Sequence, residues 1–389
     1  MKKATLKLTA LVMLLAGATF NVQAQATNDI SVVTTAVPFL RISPDARSGG
    51  MGDIGIATAP DAYSAFWNLG KLPFATSKTT VGATYTPWLT DLGLNDVYLL
   101  TLSGYHQLDE LQGLSFGVRY FSLGSIQFTD ALGNPLNNFR PREYSIDAGY
   151  SRKLSSKDGL GIGIRYISSD LAGGTVNGIS YKKGTSVAGD IHYHHNGLKE
   201  NGAGLNWGVT LSNLGSKISY TSDASQKDYI PANIGVGISY TNVFDEDNKI
   251  TFGGELNKLM VPTPPAKTST ETDSSYRVRL DEYRNKGVVS SWFSSFSDAP
   301  GGAAEEFREI TAAIGAEYWY KNQFAFRAGY FYEHPEKGNR KYFTLGAGLN
   351  YNMFGLNFSY LLPSGSGINR NPLSNTLRFT LSFDFDGEK

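Results

Sequence analysis

The 389-residue sequence contains no cysteine. This absence excludes disulfide bonds, thiolate metal sites, cysteine nucleophiles and a lipid anchor attached to an N-terminal cysteine. Basic and acidic residues balance at 35 each, so there is no excess of positive charge for the phosphates of a nucleic acid. Beyond the N-terminus, no stretch reaches the roughly 20 apolar residues of a membrane-spanning helix. Glycine, by contrast, is abundant at 43 residues, and aromatic residues make up 13% of the chain.

The N-terminus has the pattern of an export signal. Lys2, Lys3 and Lys7 supply positive charge, residues 6–20 are mostly apolar, and Ala24-Gln25-Ala26 offers a small-x-small cleavage pattern. We therefore predict a signal peptide over residues 1–26, cleaved near Ala24 or Ala26. The alternative, an N-terminal anchor helix, is disfavoured by the short apolar stretch.

The last strand-like segment alternates without a break. One face carries Leu377, Phe379, Leu381, Phe383 and Phe385, and the other carries Arg378, Thr380, Ser382 and Asp384. Successive side chains of a strand point to opposite faces, so one face is apolar and the other polar. In an outer-membrane barrel the apolar face contacts lipid and the polar face lines the lumen. We interpret this segment as the barrel-closing strand. Its aromatic residues Phe379, Phe383 and Phe385 identify it, and we call them its marker residues.

Similar alternation recurs from residue 78 onward and predicts fourteen strands of about the length that a tilted membrane strand needs. They span residues 78–87, 95–107, 113–123, 142–153, 159–168, 185–194, 204–212, 231–240, 249–257, 309–320, 323–333, 340–350, 354–362 and 375–385. The polar faces carry charges of both signs, which fit a polar lumen. These charged residues are Arg119, Asp147, Arg165, Asp190, Glu255, Glu317, Arg327 and Arg378.

The connections between these strands are sorted by length. If the first strand rises from the periplasm, most periplasmic turns are short, including 108–112, 154–158, 321–322 and 351–353. The external connections include the long ones, at 124–141, 170–184, 214–230, 258–308 and 363–374. Short periplasmic turns and long outer loops are typical of outer-membrane barrels. The expected fold is an all-β, 14-stranded antiparallel outer-membrane barrel over residues 78–389.

Two segments lie outside the predicted strands. Residues 27–77 are too long for a linker and are predicted to fold as a plug in the lumen. The loop 258–308 exceeds an ordinary connection, so it is either functional or disordered. Its aromatic and apolar residues are candidate partner contacts, with the alternative that Trp292, Phe293 and Phe296 pack back onto the barrel mouth. The candidates are Tyr276, Leu280, Tyr283, Trp292, Phe293 and Phe296.

The plug region carries a recognisable motif. It reads ARSGGMGD at residues 46–53 and DAYSAFWNLGKL at residues 61–72, preceded by PFLRISPD at residues 38–45. It resembles the N-terminal signature of the FadL-like outer-membrane proteins, and more closely that of the PorV family of the type IX secretion system in Bacteroidetes. Leu69-Gly70 stands where the FadL-like signature has Pro-Ala. The motif residues are Arg47, Met51, Gly52, Asp61, Trp67 and Asn68.

The resemblance implies a cell-surface protein-transport function and no enzymatic activity or cofactor. Such a protein binds secreted cargo at the translocon through the cargo's C-terminal domain. It then shuttles that cargo to the sortase attachment complex, which joins it to lipopolysaccharide. The implied partners are the type IX translocon barrel, cargo C-terminal domains, the sortase complex, and outer-membrane lipid and lipopolysaccharide. The alternative function is a FadL-type transporter for hydrophobic small molecules, which needs an apolar pocket in the lumen.

Other chemistry finds little support in the sequence. His192 and His194 share a strand face at a spacing that could hold a metal, but no third ligand is evident. Residues 245–248 resemble part of a calcium loop without its glycine and distal glutamate. Gly161-Ile162-Gly163 lies inside a predicted strand and opens no helix, so it does not predict a phosphate site.

Overall fold

The computed structural model describes residues 32–129, 132–172, 174–176, 179–222, 227–268, 270–362, 373 and 375–385. The predicted signal peptide and residues 27–31 of the predicted plug lie outside the described residues. No helix among the described segments has the length and hydropathy needed to cross a membrane.

The fold is a closed barrel of fourteen antiparallel strands, each paired with its neighbours in sequence order. The strands are β1 (Thr79–Pro87), β2 (Val97–Gln107), β3 (Gln112–Leu123), β4 (Arg142–Lys153), β5 (Asp158–Asp170), β6 (Gly184–Leu198), β7 (Gly204–Gly215), β8 (Asn233–Val243), β9 (Asn248–Leu259), β10 (Thr311–Tyr320), β11 (Phe324–Tyr332), β12 (Lys341–Tyr351), β13 (Phe354–Leu362) and β14 (Leu377–Phe385). Closure comes from β14 pairing with β1, with Phe385 opposite Thr79 and Phe379 opposite Tyr85. The predicted strand number, order and closure are confirmed.

Alternation along each strand separates an apolar outer surface from a polar lumen. On β3, Leu114, Phe116 and Val118 are exposed, whereas Ser115 and Arg119 on the opposite face are buried. Several of the charged residues predicted for the lumen form cross-strand pairs there, since Arg165 contacts both Asp147 and Asp190, and Arg327 contacts Glu317. An apolar band facing outward and a polar interior are the features of a membrane-spanning barrel.

One strand boundary differs from the prediction in an informative way. The segment predicted as 309–320 begins only at Thr311. Glu309 instead belongs to an ion-pair cluster with Lys258 and Lys337, so its side chain anchors a loop. Alternation alone could not reveal this, because a glutamate at a strand end fits either role.

The connections fall into two sets at opposite ends of the barrel. The short ones are 108–111, 154–157, 199–203, 244–247, 321–323 and 352–353. The end with long connections carries two small hairpins, Ile126–Thr129 with Pro135–Phe139 and Gly174–Val176 with Ile179–Tyr181. It also carries the helices of residues 260–310. Since outer-membrane barrels place long loops outside the cell, this is the extracellular end.

Residues 32–77 run through the barrel. Two short α-helices, α1 (Ala46–Gly49) and α2 (Ser64–Trp67), lie between two 3₁₀ helices, Pro38–Arg41 and Leu69–Phe74. This segment makes hydrogen bonds to strands on all sides, which places it inside the lumen as a plug. The bonds include Ala46 N to Thr380 Oγ1, Gly52 N to Thr344 Oγ1, Gly55 N to Glu255 Oε2, Leu69 N to His192 Nδ1 and Ser103 Oγ to Ala62 O.

The plug runs from the extracellular end to the periplasmic end. At its start, Val33 packs against the cluster of Tyr229, Leu259 and Val261, and Ala36 N donates to Tyr229 O at 2.9 Å. At its end, the ring of Phe74 lies 5.2 Å from Lys153 Nζ, beside the short turn 154–157. The first barrel strand begins and the last one ends at the periplasmic side, where Thr79 is opposite Phe385. The described chain nevertheless starts at the opposite mouth.

Three helices fold the long loop 260–310 into a cap. They are α3 (Asp273–Asn285), α4 (Val288–Ser294) and α5 (Ala303–Arg308). Thr272 caps α3, since its side chain accepts a hydrogen bond from Ser275 N. The sequence left open whether this loop is functional or disordered. Its described residues form helices, so the second alternative does not apply to them.

Candidate functional site

Arg47 connects the plug to the barrel wall. Its Nε and Nη2 donate to the two carboxylate oxygens of Glu317 at 2.9 and 2.8 Å, and its Nη1 donates to Asp61 at 2.9 Å. Glu317 also accepts a hydrogen bond from Arg327 Nε at 2.7 Å. Such two-pronged pairs have a fixed geometry, so they hold the plug in one orientation.

The other motif residues also lie at plug contacts. Trp67 Nε1 donates to Asp45 Oδ1 at 2.8 Å, and Asn68 Nδ2 donates to both Ile56 O and Tyr193 O at 3.0 Å. Met51 is fully buried, and Gly52 has a φ of 76°, a conformation that disfavours other residues. All six motif residues therefore organise the plug, and none of them reaches the cell exterior.

Glycines on the strands bring the wall close to the plug backbone. A Cβ added at Gly329 would lie 2.1 Å from Gly52 N, and one at Gly315 would lie 2.3 Å from Met51 O. Gly315 and Gly329 are paired across β10 and β11, so they form a notch for the Met51-Gly52 turn. Gly161 has the same kind of contact with Leu69, which explains the Gly161-Ile162-Gly163 step.

The apolar part of the lumen is filled by the plug itself. Phe39 and Leu40 are buried in a cluster with inward-facing residues near the extracellular end. The buried cluster comprises Val37, Phe39, Leu40, Val97, Leu99, Phe121, Ile167, Ala188, Ile218 and Ile230. Arg119 lies beneath it, with its Nη1 donating to Leu40 O at 3.1 Å. Chain atoms therefore occupy the space where an apolar ligand would have to bind.

The space that remains near this cluster is small and is bordered by charged as well as apolar side chains. One cavity of about 120 Å³ is bordered by several charged side chains, among them Arg41, Asp53, Arg165, Glu255 and Arg340. Sites for small ligands are mostly apolar and measure about 300 to 1,000 Å³. This cavity is thus smaller than a typical site for a small molecule, and charged side chains form part of its border.

The histidines serve the plug and the wall. His192 Nδ1 accepts a hydrogen bond from Leu69 N at 2.9 Å, and the His194 ring lies 5.9 Å from that of Phe74. His195 pairs with Asp158 at 2.7 Å. Within the described ranges, no group of three or more His, Cys, Asp or Glu side chains has the geometry to hold a metal.

In the turn 245–248, Asp245 Oδ1 accepts hydrogen bonds from Asp247 N and Asn248 Nδ2.

The extracellular cap is fastened at its base by buried ion pairs. Lys258, at the end of β9, contacts Glu306 at 2.9 Å and also Glu309. Lys337, in the next extracellular loop, contacts Glu309 at 3.1 Å and also Glu305. Because Lys258 lies on β9 and Lys337 lies in a separate extracellular connection, α5 is held between them.

A second fastening joins the cap to the loop 216–232. Tyr229 Oη donates to Tyr283 O at 3.1 Å, and the two rings are 5.4 Å apart. Lys217 Nζ donates to the carbonyls of Arg284 and Lys286 at 2.7 and 2.6 Å. Burial lowers the pKa of Lys217. Lys217 and Tyr229 belong to no recognisable sequence motif, so the sequence alone did not identify them as contacts of the cap.

The predicted partner residues divide into two groups. On α3, Tyr276, Leu280 and Tyr283 are partly buried, as their helical spacing on one face predicts. On α4 the polarity is reversed: Ser291 is fully buried, while Val289 and Phe293 are 59% and 73% exposed. Ser295 is also buried. Trp292 is half-buried, and Phe296 is 46% exposed with its ring 5.7 Å from Lys258 Nζ.

Val289 and Phe293 are four residues apart on α4, so the helix places them on one side, and Phe296 follows Phe293 by three residues in the turn after α4. We call these three residues the α4 stripe. A surface helix in a monomeric protein normally turns such residues inward. Phe307 on α5 is a further exposed aromatic residue, at 73%. The cap therefore presents apolar side chains outward from an ordered and firmly attached base.

The marker residues of the closing strand lie on the outer surface. Phe379 packs on Phe358 with ring centroids 5.3 Å apart, and Phe383 packs on Phe354 at the same distance. Phe385 stacks on Phe383 at the periplasmic end.

Comparison with known proteins agrees with this architecture. The sequence profile described as "Type IX secretion system protein PorV" matches residues 24–266, more than half of the chain. The chain belongs to the PorV family. This family membership and the barrel fold together make it an outer-membrane component of the type IX secretion system. No curated protein matches the chain significantly.

Two solved structures with the same fold are distant in sequence from this PorV-family chain. The deltaS2S3 mutant of TodX from Pseudomonas putida, described as a monoaromatic hydrocarbon channel, is 14% identical with a TM-score of 0.50. The alignment covers 88% of this chain and 99% of that one. The toluene transporter TbuX of Ralstonia pickettii is 12% identical with a TM-score of 0.50, covering 88% and 98%. At this identity the likeness establishes a FadL-like fold and nothing about the substrate.

Proposed function

We propose that this protein binds secreted cargo at the type IX translocon through the cargo's C-terminal domain and carries it to the sortase attachment complex. On this proposal it acts by binding, without catalysis and without a cofactor. The observation that carries the proposal is the α4 stripe, an apolar surface on an ordered extracellular cap of a PorV-family barrel.

The α4 stripe suits a protein partner for energetic reasons. Exposed aromatic side chains on a rigid base lose apolar contact with water when a partner covers them, and little ordering is required on this side of the interface. Aromatic residues of this kind contribute most of the binding energy in many interfaces. We assign the stripe to the C-terminal domain of the cargo.

The filled lumen supports binding outside the barrel over transport through it. Phe39 and Leu40 occupy the apolar part, and Arg47 ties the plug to Glu317. A FadL-type transporter for hydrophobic small molecules, the alternative function, would need that apolar space to be open. The related folds of hydrocarbon channels do not favour it, since they share only the architecture with this chain.

The proposal is tested by replacing Val289, Phe293 and Phe296 with serine in the full chain and purifying the protein with its partners. We expect recovery of cargo to fall at least about tenfold, since several central interface residues are lost. Recovery of the translocon barrel should remain unchanged. The matched control is Val278→Ser on α3, which removes another exposed apolar side chain from the same cap.

Two results would overturn the assignment. If the triple variant keeps its cargo, the stripe does not bind cargo. If it loses the translocon barrel and retains cargo, the stripe is a translocon contact. Delivery to the attachment complex is tested separately by deleting residues 260–308, after which cargo should no longer appear on the cell surface. Unchanged surface attachment would contradict a role for the cap in delivery.

A further inference from the structure

A groove lies on the outer surface of the barrel near its extracellular rim, away from the cap and the lumen. It has a volume of about 440 Å³ and is bordered by residues at the upper ends of β3, β4 and β5 and just before β6. They are Tyr120, Arg142, Tyr144, Ser168, Asp170 and Lys183. Because this surface faces the membrane close to its outer boundary, a lipid of the outer leaflet can reach the groove.

The groove interrupts a row of tyrosines. Five consecutive strands each contribute one outward-facing tyrosine near this rim, and neighbouring rings are 5.8 to 6.4 Å apart at three of the junctions. The row comprises Tyr85, Tyr98, Tyr120, Tyr144 and Tyr166. Tyrosine is enriched at the level of lipid headgroups, where its ring contacts apolar chains and its hydroxyl contacts water. The row therefore marks the headgroup level of the outer leaflet.

Two cations stand at this level. Lys183 Nζ lies 3.3 Å from Tyr144 Oη and 5.2 Å from the centre of the Tyr144 ring. Arg142 is exposed two residues before Tyr144 on the same strand. Its guanidinium makes no hydrogen bond or ion pair with any residue that the structure describes. The groove thus offers an ammonium held by an aromatic ring and a guanidinium whose donors are available.

One carboxylate also borders the groove. Asp170 is opposite Arg142 in the β4–β5 register, but the two side chains form no ion pair within 4.0 Å. The formal charge of the groove is +1, from Arg142 and Lys183 against Asp170. A single phosphate monoester matches the two cations, and the carboxylate opposes it at one edge.

Below the groove, the wall is apolar. Val118, Ile146 and Ile164 face outward on the same three strands and are 37%, 51% and 60% exposed. A lipid whose phosphate sits between Arg142 and Lys183 can therefore lay its acyl chains along this surface. Free phosphate in solution would use only the cations and would gain nothing from the apolar wall.

We propose that this groove binds the phosphate of an outer-leaflet lipopolysaccharide, with Arg142 and Lys183 as the phosphate ligands. Arg142 donates two hydrogen bonds to the phosphate oxygens, as its planar fork favours, and Lys183 adds a point charge. Tyr144 is a positioning residue, because it holds Lys183 at the headgroup level. The inference rests on the outer-membrane location and is independent of how the cap recognises cargo.

The test is native mass spectrometry of the detergent-solubilised full chain, titrated with monophosphoryl lipid A or with its dephosphorylated form. The double variant R142Q/K183Q should bind the phosphorylated lipid at least about tenfold more weakly, since charged hydrogen bonds are lost. The matched control is R152Q. Arg152 lies on the same strand and the same face as Arg142 but at the periplasmic end. Heat-modifiable migration on gels verifies that every variant is folded.

Further arms distinguish the source of the phosphate and the effect of the carboxylate. Excess inorganic phosphate should displace the lipid only partly, and D170N should bind it more tightly because an opposing charge is removed. The proposal is overturned if R142Q/K183Q binds like the unmodified protein or if the dephosphorylated lipid binds equally well. Complete displacement by inorganic phosphate, or weaker binding by D170N, would also contradict it.

Discussion

Arg47 of the plug and Glu317 of β10 form a two-pronged ion pair inside the barrel, with donor–acceptor distances of 2.9 and 2.8 Å. Glu317 is almost fully buried, and Arg327 is its second cationic partner. A buried carboxylate that loses one partner is strongly destabilised, because the remaining charge is incompletely compensated. The attachment of the plug therefore depends on this pair.

We expect Arg47→Gln to weaken plug docking by about 3 kcal/mol, the cost typical of breaking a buried pair. The barrel should still form, since its strand pairing does not involve Arg47. Planar-bilayer recordings should show a higher conductance than for the unmodified protein, and proteases should cleave residues 32–77 more readily. Arg152→Gln, an exposed arginine on the outer surface, is the control. Unchanged conductance and protease resistance in Arg47→Gln would show that the pair is dispensable.

The notch formed by Gly315 and Gly329 supplies a second prediction. We expect Gly329→Ala to destabilise plug docking by about 1 to 3 kcal/mol, since overpacking a tight contact has costs of this size. The added Cβ would lie 2.1 Å from Gly52 N, and a backbone atom cannot rotate away.

The measurement is protease sensitivity of the plug. Gly254→Ala on β9 is the control, because its Cβ would meet only atoms at 3.8 Å or farther. If both glycine variants show the same protease sensitivity, the close approach of plug and wall does not determine the stability of plug docking.

The barrel could be predicted from the sequence because the alternation of apolar and polar residues is local to each strand and recurs in every strand. Each strand alternates by itself, as in Leu114, Phe116 and Val118 of β3, and each connection reports its own length. An error in one segment therefore leaves the others intact. The closing strand also alternates by itself. Its pairing with β1 follows once an even number of strands closes into an antiparallel barrel.

The structure of the cap and the path of the plug were harder to predict from the sequence, because both depend on tertiary contacts. Nothing in the sequence around Val33 indicates that the described part of the plug starts at the extracellular mouth. On α4, a helical pattern predicts Phe293 inside and Ser291 outside, the reverse of what is observed. Lys217 anchors the cap through carbonyl oxygens of α3 and its C-cap, and carbonyls have no sequence signature.

The cap should respond to pH through Asp298. Burial raises the pKa of the Asp298 carboxyl above its usual range, and its Oδ1 accepts only long hydrogen bonds from Thr263, at 3.3 and 3.4 Å. Because the folded-state pKa exceeds the unfolded one, this group favours the folded cap below its unfolded pKa. The contribution is lost as pH rises through the folded pKa. Glu305 acts in the opposite direction, since its pKa is lowered, chiefly by the hydrogen bond from Lys337 working against burial.

We therefore expect Asp298→Asn to stabilise the cap at pH 8 and to have a smaller effect at pH 5. Amide hydrogen exchange of α3 and α4 measures this, and comparing the variant with the unmodified protein at each pH removes the intrinsic pH dependence of exchange. Glu305→Gln is the control and should destabilise the cap at pH 8. Faster exchange in Asp298→Asn at pH 8 would show that the charged form of Asp298 supports the cap.

The plug's own apolar residues decide whether the lumen can hold a hydrophobic ligand. Phe39 and Leu40 are almost fully buried, and the ring of Phe39 is 6.4 Å from that of Phe121. Replacing both with alanine should leave an apolar cavity near the extracellular end, at a cost of about 3 to 5 kcal/mol for the phenylalanine alone. Apolar cavities of this kind can bind small aromatic molecules.

We expect the unmodified protein not to bind an aromatic hydrocarbon such as toluene and the F39A/L40A variant to bind it, as measured by a shift in thermal unfolding with added ligand. Phe307→Ala, an exposed truncation on the cap, is the control and should bind none. Uptake of long-chain apolar substrates into vesicles carrying the unmodified protein would favour FadL-type transport over cargo binding. The lumen of this chain would then open under conditions in which Phe39 and Leu40 move aside.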